Sequence, residues 1–65
     1  MLKEGDLAVV NTDDGRFYKG CEVEVLLNIT DLAKKMNDNE PYYVKTKDGQ
    51  CTAWYAEDDL VKVEG

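Results

Sequence analysis

Hydrophobic and polar residues alternate over residues 21–29 of this chain, where every second position is apolar. Glu22 and Glu24 fall on the opposite face, which is the pattern of a strand with one buried and one solvated side. We therefore predict a long strand over residues 16–29. Gly20 marks a bend in it, because glycine inside a strand often does so.

Two shorter signals surround the start of this strand. Leu7–Val10 is apolar at every position, which predicts a first strand covered on both faces. The polar cluster Asn11–Gly15 predicts a turn, because Asn and Asp bond their own backbone and glycine supplies a positive φ. Counting back along the long strand places Phe17 inward, in the core, and Tyr18 outward, as a candidate binding residue.

A short helix is predicted at about residues 30–37. Thr30 is expected to cap it, and Asp31 falls in the first turn, where the helix dipole favours an anion. Leu32 and Met36 lie four positions apart, on one helical face. They favour a helix that covers one end of the sheet over the alternative, a loop that orders on binding.

The last third of the chain, residues 41–63, predicts a hairpin and a short closing strand. Asp48-Gly49 between two apolar-rich runs is a strong hairpin signal, typical of a two-residue type I′ turn. The acidic run Glu57–Asp59 predicts a 3₁₀ turn at about residues 56–60, just before the last strand.

The turn length decides which aromatic side chains face outward. A two-residue turn gives inner-face pairs of Thr46 with Cys51, Val44 with Ala53 and Tyr42 with Tyr55. A three-residue turn would pair Tyr42 with Trp54 instead. We choose the first register, because it separates apolar from polar side chains and burial of one face fixes register. Tyr43 and Trp54 then lie together outside, either as an exposed pair or covered by the 30–37 helix.

Size and charge favour binding at the surface. A chain of 65 residues predicts one domain, residues 1–65, with little room for a deep pocket. Fourteen acidic and eight basic residues give a net charge of −6. Nucleic-acid affinity depends on clustered Lys and Arg, so we expect no direct nucleic-acid binding. A protein partner, basic in character, fits the sign of the charge.

The residues that most often carry catalysis are scarce. The chain has no histidine, the commonest general base and metal ligand. The carboxylates of Glu57–Asp59 fan out around one turn, and Asn11–Gly15 lacks the glutamate of a calcium-binding loop. We therefore expect no metal, no cofactor and no enzymatic activity.

The cysteines and the first residues indicate a compartment. Cys21 and Cys51 do not form a disulfide framework, and no histidine or lysine cluster would activate them. Both are predicted to be buried, reduced thiols. Residues 1–6 lack the apolar stretch of a secretory signal, and no apolar run is long enough for a membrane span. The expected location is cytoplasmic.

Both ends of the chain resemble known small β-domains. Leu2–Val10, with its Gly-Asp before the first strand, and Asp13–Tyr18 resemble the opening of Tudor-like domains. Ala53–Val63 resembles the close of SH3 domains, which have core residues at the spacing of Ala53, Tyr55, Leu60 and Val63. Both families share the SH3-like barrel. The resemblance implies an all-β, five-stranded SH3/Tudor-like barrel with a short helical insertion.

The ligands of those families do not transfer with the fold. Ala56 and Asp59 stand where SH3 domains carry the proline and tyrosine of their peptide groove. Tyr18 matches one wall of the Tudor aromatic cage, but Asn11 or Thr12 stands where another aromatic is expected. Free-standing barrels of this kind are typical of bacterial and phage accessory proteins.

We therefore expect a small, acidic, non-enzymatic protein-interaction module that binds through an exposed aromatic patch with an acidic rim. The candidate partner-binding residues are Tyr18, Tyr43, Trp54, Glu22, Glu24, Glu57 and Asp58. The alternative is a phage-type inhibitor or nucleic-acid mimic that blocks a basic channel of a host or defence enzyme. The sequence leaves the oligomeric state open.

Overall fold

Five antiparallel β-strands dominate the structure, a computed structural model that describes residues 1–63. The strands are β1 (Leu7–Val10), β2 (Glu22–Asn28), β3 (Tyr42–Thr46), β4 (Thr52–Tyr55) and β5 (Leu60–Lys62). Helix α1 (Thr30–Lys35) joins β2 to β3, and a 3₁₀ turn (Glu57–Asp59) joins β4 to β5. The predicted strand-rich architecture, its helical insertion and its 3₁₀ turn are confirmed.

The strands form one sheet in the spatial order β4-β3-β2-β1-β5. Each strand pairs antiparallel with its neighbour in that order. Over residues 1–63 the sheet is not closed, and β4 and β5 are its two edges. The expected closure into a barrel is therefore not confirmed, and the coarser description is an open antiparallel sheet.

The core lies against one face of this sheet. Its buried members are Leu2, Ala8, Val10, Cys21, Val23, Val25, Tyr42, Val44, Tyr55 and Leu60. Phe17 and Ala53 are partly buried and pack against them, so the inward placement of both residues was predicted correctly. Full burial of each large apolar side chain contributes about 1.5–3 kcal/mol. The face that holds the core is thus the face that the alternation pattern predicts.

The first strand is covered on one face only. Ala8 and Val10 are buried, whereas Leu7 is exposed and Val9 is half-buried. The prediction that Leu7–Val10 is covered on both faces was wrong. A run of apolar residues does not reveal that nothing packs against one side of the sheet.

Strand β2 is shorter than the predicted strand over residues 16–29. The chain turns just before it: Gly20 has a φ of +94°, and the Cys21 N–H donates to the Tyr18 carbonyl at 3.1 Å. This left-handed conformation interrupts an extended chain. The glycine therefore marks a turn and not a bend within a continuous strand.

A β-bulge changes which face the end of β2 presents. Val25 pairs with Val44, but Leu27 pairs with Tyr43, so the register shifts by one residue between them. A bulge places an extra residue in one strand and reverses the alternation beyond it. Leu27 consequently lies outside and is 42% exposed, and the prediction that it faces inward was wrong. Ile29, also predicted inward, lies just before α1 and is half-buried.

Helix α1 begins at residue 30, as predicted, but is shorter than the predicted helix at about residues 30–37. Ile29 occupies the cap position and Thr30 is the first helical residue, so Thr30 is not the cap. The Asn28 side-chain oxygen instead accepts the Thr30 backbone N–H at 3.1 Å. The helix ends at Lys35, and Asn37 takes a left-handed conformation with a φ of 58°.

The apolar side chains of the helix do not cover the sheet. Leu32 and Met36, which were predicted to pack over its end, are both exposed, and Ala33 is the buried helical residue. A helix as short as Thr30–Lys35 presents less than two turns to the core. A small residue suffices to fill that contact.

The predicted hairpin register is confirmed. Tyr42 pairs with Tyr55, and Tyr43 pairs with Trp54. The alternative register, which pairs Tyr42 with Trp54, is excluded. Cys51, however, is exposed, because it lies at the turn end of the hairpin, beyond the core. The prediction that both thiols are buried holds for Cys21 alone.

The turn itself is not the predicted type I′. The Gly49 N–H donates to the Thr46 carbonyl at 2.8 Å, so Lys47 and Asp48 are its central residues. Asp48 has no positive φ, which type I′ would require. Its carboxylate accepts the Thr46 hydroxyl at 2.6 Å and the Gln50 N–H at 2.9 Å. These bonds stabilise a right-handed turn, with Gly49 alone in the left-handed region.

Candidate functional site

Tyr43 and Trp54 lie side by side on the outer face of β3 and β4. Their ring centroids are 4.8 Å apart with an interplanar angle of 40°, a tilted arrangement that aromatic pairs favour. The Tyr43 hydroxyl donates to the Thr52 hydroxyl at 2.9 Å, which fixes the tyrosine ring. Trp54 remains 37% exposed. Tyr43 is half-buried, so the pair as a whole is partly exposed.

Leu27 extends the pair into a row across three strands. It pairs directly with Tyr43 in the β2–β3 ladder, and Tyr43 pairs with Trp54 in the β3–β4 ladder. We call Leu27, Tyr43 and Trp54 the outer patch. Sequence reasoning missed Leu27 because the bulge reverses its face. The one available signal was that Leu26, at a supposedly solvated position, is also apolar.

Charged pairs border the outer patch on the same face of the sheet. Glu24 lies next to the patch and forms an ion pair with Lys45, with 3.8 Å between carboxylate oxygen and amine. Glu22 follows and pairs with Lys47 at 2.9 Å. Two residues of the predicted acidic rim, Glu22 and Glu24, therefore lie on the same face as the outer patch. Their charge is offset locally by two lysines.

Tyr18 belongs to a separate concave surface. It is 72% exposed and borders a groove of about 470 Å³ whose other walls include Val9, Glu22 and Lys47. No member of the outer patch is among the residues that line this groove in the described part of the chain. The predicted site therefore divides in two, and Glu22 lies between the halves.

Glu57 and Asp58 lie on the 3₁₀ turn after β4 and do not line the groove beside Tyr18. The Glu57 carboxylate is 3.6 Å from the amino group of Met1. Both side chains are exposed, which suits a rim residue. Their grouping with Tyr43 and Trp54 stays a prediction from charge alone.

A cluster that sequence reasoning missed surrounds Arg16. Its guanidinium forms ion pairs with Asp14, with Glu40 at 2.9 Å and with Asp59 at 3.9 Å. It also lies over the Tyr55 ring, with 4.1 Å from the guanidinium carbon to the ring centroid. The cluster joins three loops that are distant in sequence. No local pattern reveals such a contact.

Ionisation of this cluster is set by its contacts. The hydrogen bond from the Arg16 side chain holds the pKa of Asp14 below its ordinary value of 3.8, and the same bond raises the pKa of Arg16. Burial raises the pKa of Tyr55 above 10.0. The Tyr55 hydroxyl lies close to the Phe17 backbone without a well-aligned hydrogen bond.

Over residues 1–63, no three acidic or cysteine side chains gather closely enough to hold a metal ion. None of the helices within that range has the length and apolar character needed to cross a membrane. What the geometry offers is an apolar row with aromatic members, bordered by ion pairs. No protein-family model, curated protein or solved structure matches this chain.

Proposed function

We propose that this chain is a non-enzymatic protein-interaction module that binds a protein partner through the outer patch. The observation that carries this proposal is the tilted pair of Tyr43 and Trp54, whose ring centroids lie 4.8 Å apart on the outer face of the sheet. Tyrosine and tryptophan are enriched among residues that dominate binding energy, because they bury large areas with few rotatable bonds. Leu27 adds apolar area beside them.

The surroundings of the patch support this use. Interfaces combine an apolar centre with a polar, hydrated rim. The ion pairs of Glu24 with Lys45 and of Glu22 with Lys47 lie where such a rim belongs. The Tyr43 hydroxyl is already bonded to Thr52, so the ring is held in place before a partner arrives. A fixed ring loses little conformational entropy on binding.

We further infer that the sheet belongs to the SH3-like barrel class, as the resemblance to Tudor-like and SH3 domains implies. Support comes from the five antiparallel strands, the helical insertion before β3 and the 3₁₀ turn before β5. The bulge in β2 adds to this, because a bulge bends a strand and increases its twist.

Variants of the outer patch test the proposal. We expect Trp54→Ala and Leu27→Ala to abolish capture of the partner from a lysate of the native host, with affinity for the identified partner lowered at least about tenfold. Val61→Ala is the matched control, since Val61 is an exposed aliphatic residue on β5. Far-UV circular dichroism and thermal unfolding establish that each variant is folded. Full capture by folded Trp54→Ala would refute the proposal.

Charge mimicry is the alternative that the net charge of −6 favours. A nucleic-acid mimic in a basic channel should bind far more weakly at physiological than at low ionic strength, because salt screens exposed charges. Anchoring by the outer patch should change little over the same range. Glu22 and Glu24 already form ion pairs with Lys47 and Lys45. This favours binding through the outer patch over mimicry of nucleic-acid charge. A steep salt dependence, with Trp54→Ala binding normally, would establish the alternative.

A further inference from the structure

The backbone of β4 has unused hydrogen-bonding groups along the sheet edge. In the β3–β4 ladder the Thr46 N–H donates to the Cys51 carbonyl at 2.8 Å. In an antiparallel ladder, bonded and non-bonded pairs alternate. Thr52 and Trp54 are therefore non-bonded positions, and their N–H and C=O groups point away from β3, toward the open edge.

One of these edge groups is occupied by a side chain. An Arg16 guanidinium nitrogen donates to the Trp54 carbonyl. The same guanidinium is held by Asp14, Glu40 and Asp59 and lies over the Tyr55 ring. Three carboxylates and an aromatic ring thus fix an arginine against the edge of β4.

We propose that the open edge of β4 is a strand-pairing surface for a second copy of this chain, and that Arg16 keeps this surface closed. Exposed edge strands are templates for pairing, and proteins protect them with charged side chains. The proposal goes beyond the proposed function, because it concerns the edge of the sheet and not the outer patch on its face. Either can fail without the other.

The free groups of β4 are self-complementary, which is why the occupant is a second copy. A two-fold axis at Ala53 would place Thr52 of one copy opposite Trp54 of the other, on both sides of the axis. Each such pair exchanges two bonds, one accepted by the Thr52 carbonyl and one by the Trp54 carbonyl. Arg16 occupies the Trp54 carbonyl. It therefore blocks half of the bonds that the dimer would form.

Net charge opposes the same dimer. Each copy carries a charge of −6, so two copies repel each other at low ionic strength. Salt screens this repulsion. The paired state should therefore be favoured by high salt, which is the opposite of the behaviour expected for a complex held by ion pairs.

Sedimentation equilibrium of Arg16→Met tests the proposal. Methionine can keep apolar contact with the Tyr55 ring but cannot donate to the Trp54 carbonyl. We expect Arg16→Met to dimerise, more strongly at high salt, with an association constant at least about tenfold above that of the wild type. Arg16→Lys is the matched control, because it keeps a cationic donor, and it should stay monomeric like the wild type.

A second substitution locates the interface. Thr52→Pro removes the outward N–H of β4 without removing a bond to β3, and edge strands tolerate proline at such positions. Arg16→Met combined with Thr52→Pro should return to a monomer. A dimer that survives Thr52→Pro would overturn the proposal, since another surface would then be responsible.

Folded Arg16→Met that stays monomeric at high salt and at the highest attainable concentration would equally overturn it. If Arg16→Met does not fold, Asp14→Asn with Glu40→Gln takes its place. That variant keeps the arginine stem on Tyr55 but removes two of the carboxylates that hold the guanidinium. A folded, monomeric double variant under the same conditions would likewise refute the proposal.

Discussion

The β3–β4 hairpin carries two aromatic pairs that are neighbours in sequence and opposite in environment. Tyr42 and Tyr55 are fully buried, whereas one position along each strand, on the other face, Tyr43 is half-buried and Trp54 is exposed. Both pairs belong to the antiparallel β3–β4 ladder. Aromatic character alone thus says nothing about burial, and the face of the strand decides it.

What covers the inner pair comes from distant parts of the chain. The Leu2 N–H donates to the Tyr42 hydroxyl at 3.4 Å, and the Phe17 ring lies 5.8 Å from the Tyr55 ring, centroid to centroid. The outer pair is less completely covered, since Tyr43 is half-buried and Trp54 remains 37% exposed. The chain itself thus covers the inner pair, whereas the outer pair is the one that we propose binds a partner.

Truncation of each pair should give the largest contrast. Tyr42→Ala leaves a cavity in the core, and such substitutions cost about 3–5 kcal/mol, a large part of the stability of a small domain. Tyr43→Ala should cost about 1 kcal/mol, chiefly the loss of the aromatic contact. Urea unfolding of the two variants measures the difference. Equal losses would show that the outer pair is as much a part of the core as the inner pair.

Acid should destabilise the folded protein through protonation of Asp14, which pairs with the Arg16 side chain over the Tyr55 ring. The pKa of Asp14 is lowered in the folded protein by the Arg16 hydrogen bond, so the stabilisation is present above 3.8, its ordinary pKa, and is lost as pH falls through the lower folded value. We expect the melting temperature to fall below that pH. Asp14→Asn should show a smaller acid-induced loss, since it has no carboxylate to protonate.

Two other aspartates also have pKa values below the ordinary value, so they too contribute to the loss of stability in acid. The Lys3 backbone N–H lowers the pKa of Asp6, and the Thr46 hydroxyl lowers that of Asp48. Asp14→Asn should therefore reduce the acid-induced loss without removing it. An identical melting profile for the wild type and Asp14→Asn would contradict a stabilising role of the Asp14–Arg16 pair.

Removal of single hydroxyls should give the smallest effects, of opposite sign on the two faces. The buried Tyr55 hydroxyl has no well-aligned partner, so Tyr55→Phe should raise the free energy of unfolding by up to about 1 kcal/mol. Tyr43→Phe removes the bond to Thr52 and should lower it by less than about 1 kcal/mol. Thermal unfolding compares them. A marked loss in Tyr55→Phe would reveal a buried hydrogen bond at that hydroxyl.

The sequence predicts this fold best where one face is buried along a regular ladder. The register that pairs Tyr42 with Tyr55 follows from the segregation of apolar and polar side chains, because a slip by one residue would expose the whole set. The same logic places Tyr43 and Trp54 outside. These are the parts of the candidate site that pattern alone supplies.

Other parts depend on contacts that no pattern shows. The outward position of Leu27 follows from the bulge, and the turn at Gly20 ends an alternation that otherwise reads as one strand. The Arg16 cluster joins residues from three loops. The local alternation of apolar and polar residues carries no information about contacts between distant segments. These contacts become visible only in the tertiary structure.

The bulge in β2 also gives the outer patch a form of redundancy. The extra residue lies between Val25 and Leu27, and the chain has leucine at both 26 and 27. Were the strand to run without the bulge, Leu26 would take the place opposite Tyr43 that Leu27 now occupies. A leucine side chain thus lies opposite Tyr43 in either register. A local slip would leave this part of the patch unchanged, while Leu27 would replace Asn28 opposite Tyr42.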